Sequence, residues 1–130
     1  AERNKLSIIR LVTPTTDIKR LNKILLNATG FVYYVSITGI TGTHAPNIED
    51  VSKNLKKIKS VTNLPVIIGF GIRSPSQASL MSNISDGIVV GSAVVDLIKS
   101  SLDSDNNATK HILESCLDFI SEVSESVKHN

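Results

Sequence analysis

Apolar and polar positions along this chain keep two rhythms: short β-branched runs, and longer stretches in which apolar residues recur three and four apart. The first run, Ser7-Ile8-Ile9-Arg10-Leu11-Val12, stops at Thr13-Pro14-Thr15-Thr16, where proline and hydroxyl side chains favour a turn. Thr15 or Thr16 is placed to cap the helix that follows, and Asp17 suits the positive end of its dipole. Ile18, Leu21, Ile24 and Leu25 then carry helical spacing as far as Asn27-Ala28-Thr29-Gly30. A second strand is predicted at Phe31-Val32-Tyr33-Tyr34-Val35-Ser36, opening into the connection from Ile37 to Pro46. That connection is long for a compact domain and holds two glycines and a proline, which suits a binding loop or lid. Ile48, Val51, Leu55 and Ile58 mark one face of a helix from about Asn47 to Ser60, and Pro65 to Phe70 reads as the third strand. Pro75 fits the first turn of the next helix. A fourth strand, Gly87 to Val90, runs into a short helix from Ser92 to about Ser100. After the polar break Asp103-Ser104-Asp105-Asn106-Asn107, a last amphipathic helix is expected from about Ala108 to Val127.

Strands alternating with helices at this pace imply an α/β fold with a parallel sheet. Four βα units make either a small open doubly wound sheet or half of an eight-stranded (β/α) barrel, which as a whole needs roughly 250 residues. The extra helix straight after the fourth strand favours the half-barrel, because in barrels the last loops and such a helix build a phosphate site. So does the start at Ala1-Glu2-Arg3-Asn4, without an initiator Met or signal-peptide character. The expectation is that residues 1–130 supply the last four units of a single parallel (β/α)8 TIM barrel domain.

Composition narrows the partners. With 130 residues, 41% of them hydrophobic, the chain has one sizeable core. The balance of 14 Lys+Arg against 12 Asp+Glu leaves +2, and Lys53, Lys56, Lys57 and Lys59 read as the solvated face of a helix. Three Phe, two Tyr and no Trp leave little for stacking bases, so nucleic acid is not expected. No apolar run approaches the ~18 residues of a membrane span. Cys116, the sole cysteine, reads as a buried small hydrophobe; a reducing cytoplasm fits. No metal site is expected, since no His pair has ligand spacing.

The candidate chemistry lies at two glycine junctions, Gly69-Phe70-Gly71-Ile72 and Gly91-Ser92-Ala93-Val94-Val95. Where a strand enters a helix through glycine, free backbone amides and the helix dipole point at one place, which suits an anion such as phosphate. Together with Phe31-Val32-Tyr33-Tyr34-Val35-Ser36 and Gly39-Ile40-Thr41-Gly42, these junctions make nearly the whole chain resemble the second half of the tryptophan synthase α subunit. The resemblance implies a (β/α)8 barrel that cleaves indole-3-glycerol phosphate to indole and glyceraldehyde 3-phosphate. It implies no cofactor in this chain and a pyridoxal-phosphate-dependent β subunit as partner. By motif match, Gly42, Gly71, Gly91 and Ser92 would offer amides to the substrate phosphate, Ser92 its hydroxyl as well. Tyr33 and Phe70 would line the indole pocket, and Thr41 would belong to the lid loop. Ile37 departs from the family, which often has arginine there, and His44 lies outside the matched pattern.

Cleavage needs proton transfer at the indole ring and at the glycerol hydroxyl, hence a carboxylate or its equivalent in the pocket. No acidic residue stands at a strand's carboxyl end in the way barrel chemistry requires. Asp17 reads as a helix-start residue, Asp86 precedes its strand, and Asp96 lies a turn into the short helix. The catalytic residues expected in this chain are therefore none, and the chain alone is expected to be inactive. Two other readings stay open. One is a non-catalytic module, either a phosphate-binding half-barrel or one that self-associates through its open strand edges. The other is half of another phosphate-binding barrel such as indole-glycerol-phosphate synthase, from which the Gly39-Ile40-Thr41-Gly42 loop separates it.

Overall fold

The computed structural model describes residues 2–36, 47–69 and 71–127. After a 3-10 turn at Glu2–Asn4 come β1 (Arg10–Val12), α1 (Ile18–Leu25), β2 (Val32–Val35), α2 (Ile48–Lys59), β3 (Val66–Gly69), α3 (Pro75–Ser82), β4 (Gly87–Val89), α4 (Ser92–Ser100) and α5 (Ile112–Val127). All three neighbouring strand pairs are parallel, in the order β1-β2-β3-β4. A doubly wound sheet reverses its strand order at a switch point. This sheet does not, and it has the sequence of an arc of a barrel.

Register separates the two faces of the arc. Val12, Tyr34, Ile68 and Ile88 form one row, and Arg10, Val32 and Val66 another on the same side. Val12, Val32, Tyr34, Val66 and Ile68 are buried with Leu21 and Leu25 of α1, Val51, Leu55 and Ile58 of α2, and Ala78 and Met81 of α3. Each side chain fully removed from water in this way stabilises the fold by about 1.5–3 kcal/mol. The opposite face carries Leu11, Tyr33 and Ile67 in one row and Val35, Gly69 and Val89 in the next. It is open: Leu11 is 62% exposed, and Tyr33, Val35, Ile67 and Val89 are half-buried. One covered face and one bare one is what half of a barrel presents, the bare face being the inside of the complete ring. The adjacent tyrosines report the same split. Tyr34 lies in the core beside Asn54, where burial pushes its phenol up to about 12, while Tyr33 faces the open side.

Several expectations need correction. The Asp17 side chain, not Thr15 or Thr16, caps α1 by accepting from the Arg20 amide at 2.8 Å. Thr16 is occupied in the preceding turn, its Oγ1 accepting from the Thr13 amide at 3.2 Å and its own amide donating to the Thr13 carbonyl at 3.0 Å. β1 begins at Arg10 because its one neighbour among the described residues, β2, begins at Val32; below that level Ser7 and Ile9 meet the Gly30 turn, whose φ is +77°. α5 begins at Ile112 because Thr109 folds back on Ser101, donating to its carbonyl from both amide (3.2 Å) and hydroxyl (2.8 Å). The lysines of α2 are not all solvated: Lys57 donates to the Thr16 carbonyl at 2.8 Å, and Lys59 pairs with Asp86. Cys116 is half-buried.

Candidate functional site

The last rung of the sheet joins Val35, Gly69 and Val89. Gly71 and Gly91 each lie two residues past it, at the carboxyl ends of adjacent strands, which run about 4.8 Å apart in such a sheet. Gly71 has φ +82°, in the left-handed region that favours glycine. Ile72, only 4% exposed, fastens the connection into the core. Ser74 then caps α3 by accepting from the Gln77 amide at 3.3 Å.

α4 starts differently. Its N-cap is Gly91, and no side chain caps it, whereas Asp17, Asn47 and Ser74 cap α1, α2 and α3. The amides of its first turn have no helical carbonyl to bond, and they carry the positive end of the dipole. Gly91 has φ −123° and ψ −72°, outside the ordinary helical and extended regions, and a Cβ built there meets no atom within 4 Å among the described residues. Close packing within the described residues does not account for this glycine. Ser92 holds the first helical position rather than the cap. Both Gly91 and Ser92 are exposed.

On the inner face, Tyr33 lies across Gly69 one rung above its own partner Ile67 and on the same side of the sheet. A Cβ on Gly69 would fall on the phenol of Tyr33, so this glycine makes room for the ring. Gly69→Ala is expected to cost about 1–3 kcal/mol in urea unfolding, the usual penalty of overpacking. The double variant Gly69→Ala with Tyr33→Ala is expected to lose most of that cost, because the ring is what alanine strikes.

Four of the carboxylates are engaged in a cap, a turn or an ion pair. Asp17 caps α1. At the amino end of the sheet Asp86 accepts from Lys59 and from the Val66 amide, which hold its carboxyl below the usual range. Asp103 accepts from the amides of Asn107 (2.8 Å) and Asp105 (2.9 Å). Asp96 holds Arg73. A groove of about 460 Å³ between Leu55, Lys59, Val66, Ile84 and Asp86 opens at that amino end of the strands, away from the glycine junctions. Among the described residues no cluster of His, Cys, Asp and Glu has the makings of a metal site, and no helix is long and apolar enough to cross a membrane.

The structure therefore brings Gly71, Gly91 and Ser92 to one end of the sheet and sets Tyr33 on its open face. The expectations for Gly42, Thr41 and Phe70, and the remarks on Ile37 and His44, fall outside the described residues. A sequence profile described as tryptophan synthase alpha chain matches residues 1–124. The chain belongs to that family. A tryptophan synthase alpha chain from Granulibacter bethesdensis is 45% identical over 128 residues, covering 98% of this chain and 46% of the relative. One from Acidiphilium cryptum is 40% identical over 125 residues, covering 96% and 45%. Among solved structures, tryptophan synthase subunit alpha from Campylobacter jejuni superposes with a TM-score of 0.75 at 32% identity, over 94% of this chain and 45% of that one. The chain thus spans about half the length of the tryptophan synthase alpha chains it matches, in keeping with half a barrel.

Sequence reasoning missed two features of the site: the fit of Tyr33 over Gly69, and the Arg73–Asp96 pair. Both depend on register. Once β3 and β4 are aligned, Arg73 and Asp96 follow the same rung by four and seven residues, but nothing local in either segment says so.

Proposed function

We propose that residues 1–130 are the C-terminal half of a single (β/α)8 barrel domain that binds indole-3-glycerol phosphate. The whole α subunit would cleave that substrate to indole and glyceraldehyde 3-phosphate. In the cleavage the bond between the indole ring carbon and the first glycerol carbon breaks, the ring carbon gains a proton and the glycerol hydroxyl loses one. This half supplies binding: amides of Gly71, Gly91 and Ser92, with Gly42, take the phosphate; Tyr33 and Phe70 flank the indole; Thr41 serves the lid. The proton-transfer groups belong to the other half of the barrel. We assign no cofactor to this chain. A β subunit carrying pyridoxal phosphate is the proposed partner, in the cytoplasm, and the open strand edges suit association of the half-barrel with itself when its complement is absent.

The observation that carries this reading is Gly91, an exposed glycine at the head of a helix with no side-chain cap, where a Cβ would meet no described atom within 4 Å. With no side chain over them, the amides there are open to close approach by an anion. Titration of the chain with glycerol phosphate tests it. The amide resonances of Gly71, Gly91 and Ser92 are expected to shift together with one dissociation constant. Shifts confined to the groove around Lys56 and Lys59, or no shifts at all, would overturn the assignment.

A further inference from the structure

We infer that the ion pair between Arg73 and Asp96 is a positioning clasp, which holds the head of α4 against the β3–α3 connection so that amides beyond both strands face one anion. The inference rests on the phosphate reading of Gly71, Gly91 and Ser92. It adds two residues that do not touch the ligand.

α4 needs such a tie. None of its residues is buried, its Val95 and Ile98 are 62% and 39% exposed, and among the described elements it packs chiefly on α5. Its place relative to Gly71 is therefore weakly set by apolar contact. The other side of the pair is firm. Ile72 sits in the core, and the Arg73 amide donates to Gln77 Oε1 at 2.8 Å. Arg73 thus has a fixed backbone, and its guanidinium Nη2 reaches Asp96 Oδ2 one turn into α4.

Charge supports a geometric role. Arginine and carboxylate form directional, charge-assisted bonds, which fix orientation as well as distance. With its guanidinium engaged by Asp96, Arg73 adds no net charge at the site, and anion binding is left to backbone dipoles. Both side chains are more than half exposed, so the pair adds little to global stability. Its effect falls on where α4 begins.

The test uses the 130-residue chain with glycerol phosphate as probe. Arg73→Ala and Asp96→Ala are each expected to weaken binding about three- to fivefold, the scale of an exposed pair. The two together should weaken it no further than either alone. The exchanged pair, Arg73→Asp with Asp96→Arg, is expected to recover most of the loss, which a general packing defect would not. A second readout needs no ligand: amide hydrogen exchange in the first turns of α4 should quicken several-fold in the single variants and slow again in the exchanged pair. Single variants that bind and exchange like the parent overturn the clasp. A parent chain that binds no glycerol phosphate, with α4 still loosened by Arg73→Ala, removes the phosphate reading and leaves the clasp standing.

Discussion

Gly91→Asp is expected to lower the affinity of the chain for glycerol phosphate by at least about a hundredfold while leaving its stability almost unchanged. A carboxylate placed about 4 Å from a phosphate charge, at an effective dielectric constant of about 20, is repelled by about 4 kcal/mol per unit charge. The hundredfold figure allows for solvent at an exposed site. Stability is spared for two reasons. The new Cβ meets nothing within 4 Å among the described residues, and a negative charge at this position complements the positive end of the α4 dipole. Calorimetric titration and urea unfolding of the same sample read the two effects separately. Gly91→Asn supplies the control, since it has nearly the shape of aspartate without the charge and should lose far less affinity. Retention of full affinity by the aspartate variant would show that the anion, if bound, lies elsewhere.

The second large effect concerns turnover. Incubated alone with indole-3-glycerol phosphate, the chain is expected to release indole at least about a thousandfold more slowly than a whole α subunit, because a positioned acid or base contributes about 10²–10⁴-fold. The cleavage moves protons at both the ring and the glycerol. Asp17 is spent on a cap, Asp86 and its lysine sit at the opposite end of the sheet, and Asp96 is bonded to Arg73. The remaining acids of α2 and α5, Glu49, Asp50, Glu114, Asp118, Glu122 and Glu125, lie on helices outside the arc, away from its inner face. Because the substrate carries the same indole fluorophore as the product, release is followed through the aldehyde of glyceraldehyde 3-phosphate, which forms only on cleavage. Turnover approaching that of a whole subunit would mean that a group in this half does the proton transfer, and the division of labour proposed here would fall.

What could be read from the residues follows from how local each signal is. The β-branched runs announced all four strands, and the glycine junctions announced where β3 and β4 give way to helices, because strand character, glycine and helix periodicity are neighbours in the chain. The caps were harder. Thr16 and Asp17 compete for one helix start, and the winner was decided by a turn that had already taken Thr16. The late start of α5 was hidden for a similar reason, since Thr109 bonds back to Ser101 across a polar break. Hardest were contacts between strands. Tyr33 over Gly69 and Arg73 against Asp96 join segments 36 and 23 residues apart, and only the parallel register makes them neighbours. The end of the sheet that carries the glycine junctions was thus legible in the sequence, and the side-chain contacts around those glycines were not.

The bare inner face of the sheet also has a thermodynamic consequence. Leu11 and its row stay in contact with water whether the chain is folded or not, so unfolding uncovers less apolar surface than the length of the chain suggests. Heat capacity and denaturant sensitivity both follow the surface newly wetted. The half-barrel should therefore have a flatter stability curve and a shallower urea transition than a closed domain of equal length. Closing the ring would steepen both, since the apolar rows lining the barrel would then be dry in the native state alone.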